Sequence, residues 1–241
     1  MACLFAAVSL NANAFVVCVE DEPFLPLTNG HLSPPGSAQI LMATAAKNLK
    51  IPLEIKIVPW KRCRALVVSG DYDAMLCAGY AGINFKNAVF PMLPGGSPDK
   101  AKAVGSVKTY LYRRKGGKAD YVNGKFIGIA SPLVGITSGY QTHIDAITQR
   151  GARFDDSAPS VEQQAKMLVA GRVDLVAGER AFARLLTKQY QEQLEQLPVP
   201  LIEPFYYLAF SKQYYPSHKE MVESLWNEIA KARKSAPYNN H

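Results

Sequence analysis

The spacing of hydrophobic positions changes along this chain between a pattern typical of β-strands and a pattern typical of α-helices. Residues 15–19 are continuously apolar, which is typical of a strand covered on both faces. Residues 37–49 carry apolar side chains at helical spacing, and residues 53–58 alternate in the manner of a strand. A helix at 60–69 and a strand at 73–78 complete this first series.

A second series of the same kind occupies the later part of the chain. We predict strand 125–130, helix 140–149, a short strand at 152–155, helix 161–170 and strand 173–178. Because strands and helices alternate in both series, the pattern indicates an α/β protein with mostly parallel sheets flanked by helices.

One short motif occurs in both series. An amphipathic helix ends at a glycine, Gly70 or Gly171, and an aspartate, Asp73 or Asp174, follows shortly and opens an apolar strand. Glycine suits the left-handed conformation that ends a helix. Because a solenoid needs at least three repeats, two copies indicate two similar lobes instead.

Two segments, 107–113 and 206–210, are predicted to cross between the lobes, because each follows a proline-containing loop. The last helix is expected to return to the first lobe. The predicted division is therefore lobe 1 at 15–107 and 205–241, and lobe 2 at 108–204.

The first 14 residues differ from the rest of the chain. Residues 1–14 carry no charge, contain a short apolar run and end in Ala12-Asn13-Ala14. This pattern is typical of a secretory signal peptide that is cut after a small residue. No basic residue precedes the apolar run, so we expect the sequence to start inside the signal. An ordinary buried first segment is the alternative.

Three cysteines follow this segment, Cys18, Cys63 and Cys77, and they lack the spacing of metal ligands. In an exported chain two of them could form a disulfide bond. Cys18 and Cys77 are the best candidates, because they fall in strands that are predicted to be neighbours. Three buried thiols are the alternative.

Composition argues against several classes of protein. The 241 residues are 48% hydrophobic and 20% charged, as in ordinary folded domains. The formal net charge is +7, but the basic residues are dispersed except at 113–118, which argues against a nucleic-acid partner. The four histidines match no metal motif, and no GxSxG, P-loop or GxGxxG is present. We therefore expect a binding protein with no cofactor rather than an enzyme.

Six stretches of the chain stand out by their order and spacing. They are EDEPFLP, PWKR followed by SGDYDA, GKFIGIA, GITSGY, AGRVDLVAGE and YYLAFSK. Together they resemble the periplasmic solute-binding proteins of ABC importers, specifically the polar amino-acid type known as solute-binding family 3. The resemblance implies a two-lobed type II clamp with two hinge crossings, which closes on a ligand in the cleft. It also implies a small polar or zwitterionic ligand, a membrane permease as partner and a periplasmic location. We expect a monomer.

Residues directly after predicted strands are the candidates for the ligand site, because ligands of open α/β sheets lie at the carboxyl ends of strands. Trp60 can stack on a ligand, and Tyr80 and Ser131 follow two other strands. Arg62 can hold a carboxylate with its planar fork, and it matches a Pro-Trp-x-Arg signature in one branch of the family. Arg64 is interpreted as a surface residue.

The resemblance assigns further positions. Phe24 stands where the family has an aromatic ring, Thr137 and Ser138 resemble its Gly-Thr clasp for a carboxylate, and Glu179 replaces an aspartate that takes the ligand's ammonium. The chain departs from the family where an arginine usually grips the carboxylate. Lys86 is the basic residue there, and it lacks the planar fork. This departure argues against a standard α-amino acid and leaves the ligand's anion to this lysine or to the signature arginine.

Three alternative functions remain open at this level. The same clamp could present its solute to a signalling receptor. It could be an exported dehydratase or lyase in which Glu179 or Glu22 acts as a general acid or base. It could also bind a ligand that is not an amino acid.

Overall fold

The structure, a computed structural model, describes residues 14–81 and 86–235. All but the last residue of the predicted signal peptide therefore lie outside the described residues. No helix within these two ranges is both long enough and apolar enough to cross a membrane.

The apolar runs of the first series lie together in a six-stranded sheet. Its strands are β1 (Phe15–Glu20), β2 (Leu53–Val58), β3 (Ala74–Gly79), β4 (Ala88–Val89), β5 (Gly105–Ser106) and β13 (Phe205–Ser211). The order is β2-β1-β3-β13-β4, and β5 pairs with β13. The first three strands are parallel, as predicted, whereas β13 is antiparallel to β3.

Three helices cover the two faces of this sheet: α1 (Ser37–Asn48), α2 (Trp60–Ser69) and α6 (Tyr215–Arg233). Helices α1 and α6 pack in one hydrophobic cluster with β1, β3 and β13, where the buried Trp226 indole donates to the Leu208 carbonyl at 2.8 Å. Helix α2 packs in a separate cluster that contains Cys18, Cys63 and Val67. Together they form the first lobe.

A five-stranded sheet forms the core of the second lobe. Its strands are β6 (Thr109–Arg114), β9 (Leu133–Gly135), β10 (Arg153–Asp155), β11 (Leu175–Gly178) and β12 (Leu194–Ile202). The order is β10-β9-β11-β6-β12; the first three strands are parallel, β6 is antiparallel to β11, and β12 is antiparallel to β6. Helices α3 (Gln141–Thr148), α4 (Val161–Val169) and α5 (Arg180–Leu185) flank it.

The predicted strand at 125–130 is corrected by the structure. Residues Lys125–Ile127 form β8, which pairs with β7 (Asp120–Val122) in a small two-stranded hairpin, and the strand in the sheet is β9. The cause is Gly128, which has a φ of 79° and lies so close to the Lys118 carbonyl that any side chain would overlap it. The chain therefore turns out of the strand at this glycine.

The repeated motif has the same geometry in both lobes. Its two glycines have φ angles of 86° and 71°, the left-handed conformation that ends each helix. The Asp73 carboxylate accepts the Val16 amide N–H at 2.7 Å, and the Asp174 carboxylate accepts the Leu133 amide N–H at 2.8 Å. Each aspartate thus links the motif by a hydrogen bond to the neighbouring strand of its own sheet, β1 in the first lobe and β9 in the second.

The disulfide bond joins Cys18 to Cys63, with their Cα atoms 5.6 Å apart, and Cys77 is a buried free cysteine. Both the Cys18–Cys77 pairing and the alternative of three thiols are therefore wrong. Cys77 has a φ of 63°, which breaks the alternation of β3 and places its side chain in the same cluster as its neighbour Leu76. Cys18 lies in the cluster on the α2 side.

Candidate functional site

A narrow cleft between the two lobes is the candidate functional site. The first lobe lines it with residues from strand ends, from the loop after β1 and from the start of α2: Glu20, Phe24, Thr28, Trp60 and Tyr206. The second lobe contributes Tyr140, Gln141 and Thr142, at the start of α3. The cavity between these side chains has a volume of about 20 Å³, which is room for roughly one water molecule. The clamp is therefore closed.

Glu20, the last residue of β1, is the carboxyl group of this cleft. Only 8% of the residue is exposed, and its Oε2 accepts the Tyr140 hydroxyl across the cleft at 2.6 Å. Burial raises the pKa of Glu20 from 4.5 to about 8, although the hydrogen bond from Tyr140 acts in the opposite direction. The charge of Glu179 raises the pKa of Glu20 further. The buried carboxyl is therefore mainly protonated at neutral pH.

Aromatic rings form most of the remaining wall. The Phe24 ring meets the Tyr206 ring at 4.8 Å and the Tyr140 ring at 5.8 Å between centroids, edge to face in both pairs. Trp60 is the first residue of α2, which begins directly after Pro59, and only 7% of it is exposed. Pro59 is the N-cap residue of this helix, with a φ of −53°, so the chain passes there from β2 into α2 and places the tryptophan at the cleft edge.

The hydroxyl of Thr28 is a polar group in the cleft that has no hydrogen-bond partner in the described protein. Thr28 is 1% exposed, and its Oγ1 is buried. A buried hydroxyl without a partner costs about 1–3 kcal/mol. This group is therefore a candidate for contact with a ligand or an ordered water.

Gly79 allows the lobes to approach. A β-carbon at this position would overlap the methyl group of Thr142 from the opposite lobe. The end of β3 and the first turn of α3 thus lie in direct contact, and only glycine permits it.

Side chains near the start of α2 also form polar contacts with the second lobe. Lys61 forms an ion pair with Asp156 at 3.1 Å, and Arg64 donates to the Gly139 carbonyl at 3.2 Å. Asp156 also accepts the Gly139 amide N–H at 3.3 Å. Arg64, which the sequence suggested was an ordinary surface residue, therefore belongs to the contact between the lobes.

A second polar cluster lies in lobe 2 at the end of β11. Glu179 is 8% exposed, and its Oε1 lies 2.8 Å from the His143 Nε2 and accepts the Thr109 hydroxyl at 3.0 Å. His143 is fully buried, and its Nδ1 has no hydrogen-bond partner in the described protein. Within the described residues, no three metal-ligating side chains come close enough to hold an ion.

The structure brings only part of the predicted site together. Phe24 and Trp60 line the cleft, and Glu179 lies behind it. Arg62 and Lys86 are exposed and do not line it. An arginine and a lysine that the sequence assigned to a ligand's carboxylate are therefore at the surface of the closed clamp.

The remaining predicted residues have contacts within their own lobes. The Tyr80 ring packs on Phe90 at 5.3 Å, and the Ser131 hydroxyl donates to the Gly151 carbonyl at 3.1 Å. The buried Thr137 hydroxyl accepts the Gln164 amide at 3.0 Å, and Ser138 is half-buried beside it. None of these residues lines the cleft.

Sequence reasoning missed Glu20, Thr28, Tyr140 and His143. Glu20 carried a usable signal, because it is the charged residue that ends the first apolar strand. Tyr140 is the first residue of the predicted helix 140–149 and the last residue of the GITSGY stretch. Neither position reveals that the two side chains meet across the cleft.

Two lobes with these sheet orders, two crossings and a cleft at the strand ends define the fold of the periplasmic binding proteins, as predicted. The chain is similar to the amino acid ABC transporter substrate-binding protein AbpA from Streptococcus pneumoniae bound to L-arginine. The identity is 20%, the TM-score is 0.68, and the match covers 94% of this chain and 91% of that one.

Two other solved structures show the same likeness. The arginine-, lysine-, histidine-binding protein ArtJ from Geobacillus stearothermophilus is 15% identical, with a TM-score of 0.67 over 93% of this chain and 91% of that one. A histidine kinase sensor domain with similarity to periplasmic binding proteins is 14% identical, with a TM-score of 0.70 over 94% and 93%. No family model matches the chain, and no curated protein matches it either. At these identities the likeness shows the fold alone.

Proposed function

We propose that this protein is an exported, monomeric binding protein that captures a small polar solute and delivers it to an ABC permease. Its lobes, 15–107 with 205–241 and 108–204, would close on the solute about the two crossings. The observation that carries the proposal is the cleft, where a buried carboxyl, several rings and an unpartnered hydroxyl from two lobes converge.

The energetics of such a site are sufficient. A micromolar dissociation constant corresponds to about 8 kcal/mol, and a hydrogen bond to a charged group contributes about 1.5–3 kcal/mol. Two or three contacts of this kind and stacking on Trp60 would supply most of that amount. We propose Glu20, Phe24 and Trp60 as ligand contacts, with Glu179 acting from behind the cleft.

Export is supported by two features. Structural disulfides persist mainly in oxidising compartments, and Cys18 and Cys63 form one. The pattern of residues 1–14 is that of a signal peptide.

A ligand screen of the chain from residue 15 onwards tests the proposal. Thermal shift followed by calorimetry would compare amino acids, amines, polyamines and small organic acids. A solute at 100 times its Kd should raise the free energy of unfolding by about 2.7 kcal/mol. Failure of every solute to bind would contradict the proposal.

Two variants on the same helical turn locate the site. Trp60→Ala should weaken binding at least tenfold, whereas Arg62→Ala, which alters an exposed residue outside the cleft, should change it less than twofold. Circular dichroism would show that both variants are folded. Unchanged affinity in Trp60→Ala would mean that the ligand binds elsewhere, and a tenfold loss in Arg62→Ala would support the role that the sequence assigned to this arginine.

The similarity to a histidine kinase sensor domain favours one second candidate, a clamp that presents its solute to a signalling receptor. Deletion of the gene separates the two roles once a solute is known. Loss of solute uptake supports delivery to a permease, and loss of a transcriptional response with unchanged uptake supports sensing. Recovery of the bound solute in altered form would instead support the dehydratase or lyase alternative.

A further inference from the structure

The described lining of the cleft holds an acidic side chain and no basic one. Glu20 supplies its carboxyl group, and no arginine or lysine of the described ranges lines it. Residues 82–85, which lie outside those ranges, read Gly-Ile-Asn-Phe and add no basic side chain. A carboxylate in this cleft would therefore face the Glu20 carboxyl without a cationic side chain to pair with.

Two basic residues close to Trp60 in helix α2 already have partners. Lys61 pairs with Asp156, and Arg64 donates to the Gly139 carbonyl. The loop that resembles a carboxylate clasp is also engaged, because the Gly139 N–H donates to Asp156 and the Thr137 hydroxyl bonds to Gln164. A carboxylate of the protein itself thus occupies an N–H group of the proposed clasp.

The remaining lining suits a cation. The rings of Phe24, Trp60, Tyr140 and Tyr206 line the same cavity as the Glu20 carboxyl, and aromatic faces attract cations within about 6 Å. The unpartnered Thr28 hydroxyl offers an acceptor for an ammonium N–H.

We propose that this cleft selects a small organic ammonium cation that carries no carboxylate, with Glu20 as its counter-ion and the four rings as its cage. The proposal rests on the proposed function and names its ligand class. Because the closed cavity has a volume of only about 20 Å³, the lobes must part and the Tyr140 hydroxyl must leave Glu20 before such a ligand can enter.

Proton release should accompany binding. The raised pKa of Glu20 means that the closed clamp holds a proton there at neutral pH, and a bound cation would replace it. Other titratable groups face this carboxyl from several elements, and they are Tyr140, Asp21, Glu22, Glu179, Cys77 and Tyr206. The acids among them raise the proton affinity of Glu20, so they favour either the proton or a cation.

Matched solute pairs test the proposal by calorimetry at pH 7. Each pair joins an amine to its carboxylate-bearing counterpart: agmatine with arginine, cadaverine with lysine, and choline with glycine betaine. We expect the member without the carboxylate to bind at least tenfold more tightly in every pair that binds. The heat measured in buffers of different ionisation enthalpy should report the release of about one proton per cation.

The outcomes separate this proposal from the proposed function. If the carboxylate-bearing member binds equally well or better, or only acids or neutral solutes bind, the cation proposal is overturned and the solute-binding function stands. If no solute of the wider screen binds, both are overturned.

Glu20→Gln and Glu54→Gln form a matched pair of variants, because the first carboxyl lines the cleft and the second is exposed on β2. Glu20→Gln should lower affinity for the bound cation at least tenfold, and Glu54→Gln should leave it within twofold. Unchanged affinity in Glu20→Gln would overturn the proposal. If that variant fails to fold, absence of proton release in the unaltered protein would overturn it instead.

Discussion

The two lobes share the motif in which a helix ends at a glycine and an aspartate opens the next strand, but the helix of the motif has a different role in each lobe. In lobe 2, helix α4 begins at Ser160, whose hydroxyl accepts the Gln163 N–H at 3.3 Å in an ordinary N-cap. In lobe 1, helix α2 begins after Pro59 with no side-chain cap, and its first turn carries Trp60, Lys61 and Arg64. The capped helix supports its own sheet, whereas the uncapped one lines the cleft and contacts the other lobe.

The difference extends to how each helix is fixed. The Cys18–Cys63 disulfide ties α2 to β1, and no other disulfide joins described residues. A helix that lacks a cap and carries positive charge in its first turn is not favoured by its own dipole. The covalent link therefore holds in place an element whose N-terminus lines the cleft and contacts lobe 2.

The largest expected effect concerns the carboxyl that lies between the lobes. In an open clamp Glu20 would be solvated and would return towards its ordinary pKa of 4.5, whereas closure raises the pKa to about 8. The closed form binds the proton on Glu20 more tightly, so protonation stabilises the closed form relative to the open one. This stabilisation is fully present below pH 4.5 and is lost as the pH rises towards 8. The loss is at most about 1.4 kcal/mol per pH unit.

Small-angle scattering or a fluorophore pair across the lobes would follow this change between pH 5 and 9, roughly the window that these pKa values define. Closure should weaken with rising pH in the unaltered protein and become nearly independent of pH in Glu20→Gln. Equal pH dependence in both proteins would show that another group controls closure.

The next largest effect should follow removal of the disulfide, which closes a loop with a sequence separation of 45 residues. Cys63→Ser, or reduction of the unaltered protein, should lower the free energy of unfolding by about 2–4 kcal/mol. Urea denaturation with and without a reductant would measure it. Since the bond lies wholly in lobe 1, amide exchange should rise there and remain unchanged in lobe 2.

A matched pair of aspartates tests whether the two units are equivalent as scaffolds. Asp73→Ala and Asp174→Ala each leave a backbone N–H without its carboxylate partner, so each should cost about 1–3 kcal/mol. Denaturant titrations should give similar losses. A large loss in one variant alone would show that the similarity of the motif is one of sequence and not of energetics.

The smallest expected effect comes from one exposed ion pair on each of the two helices, α2 and α4. Lys61 pairs with Asp156 across the lobes, and Lys166 pairs with Glu162 within α4. Both pairs are exposed, so each contributes only about 0.2–1 kcal/mol. Lys61→Ala should shift the clamp towards the open form in the scattering experiment, and Lys166→Ala should not. A shift in both variants would mean that the change reflects net charge.

The sequence predicted elements well where the apolar period was strong. The parallel strands β1 to β3 and the glycine ends of α2 and α4 all follow from local patterns. Strand β9 was missed, because KFIGIA reads as a strand until Gly128 turns the chain out of it. The disulfide was missed because alternation along β3 fails at Cys77, whose positive φ no spacing rule shows.

The candidate site was less accessible to sequence reasoning. Trp60 and Phe24 were found because they follow strand ends, which is a local property. The hydrogen bond between Glu20 and Tyr140 joins residues 120 positions apart, and it depends on how closely two lobes approach. Arg62 was assigned from its chemistry, but its direction on the helix is set by the disulfide and by Trp60 on the buried side.

Cys77 is a native chemical probe of lobe opening. Its thiol lines the cleft and is buried, and burial raises its pKa well above the ordinary value, so we expect a maleimide or a disulfide reagent to react with it mainly while the lobes are apart. The rate of labelling should therefore report opening of the cleft without any engineered probe. A solute that holds the lobes together should slow the labelling.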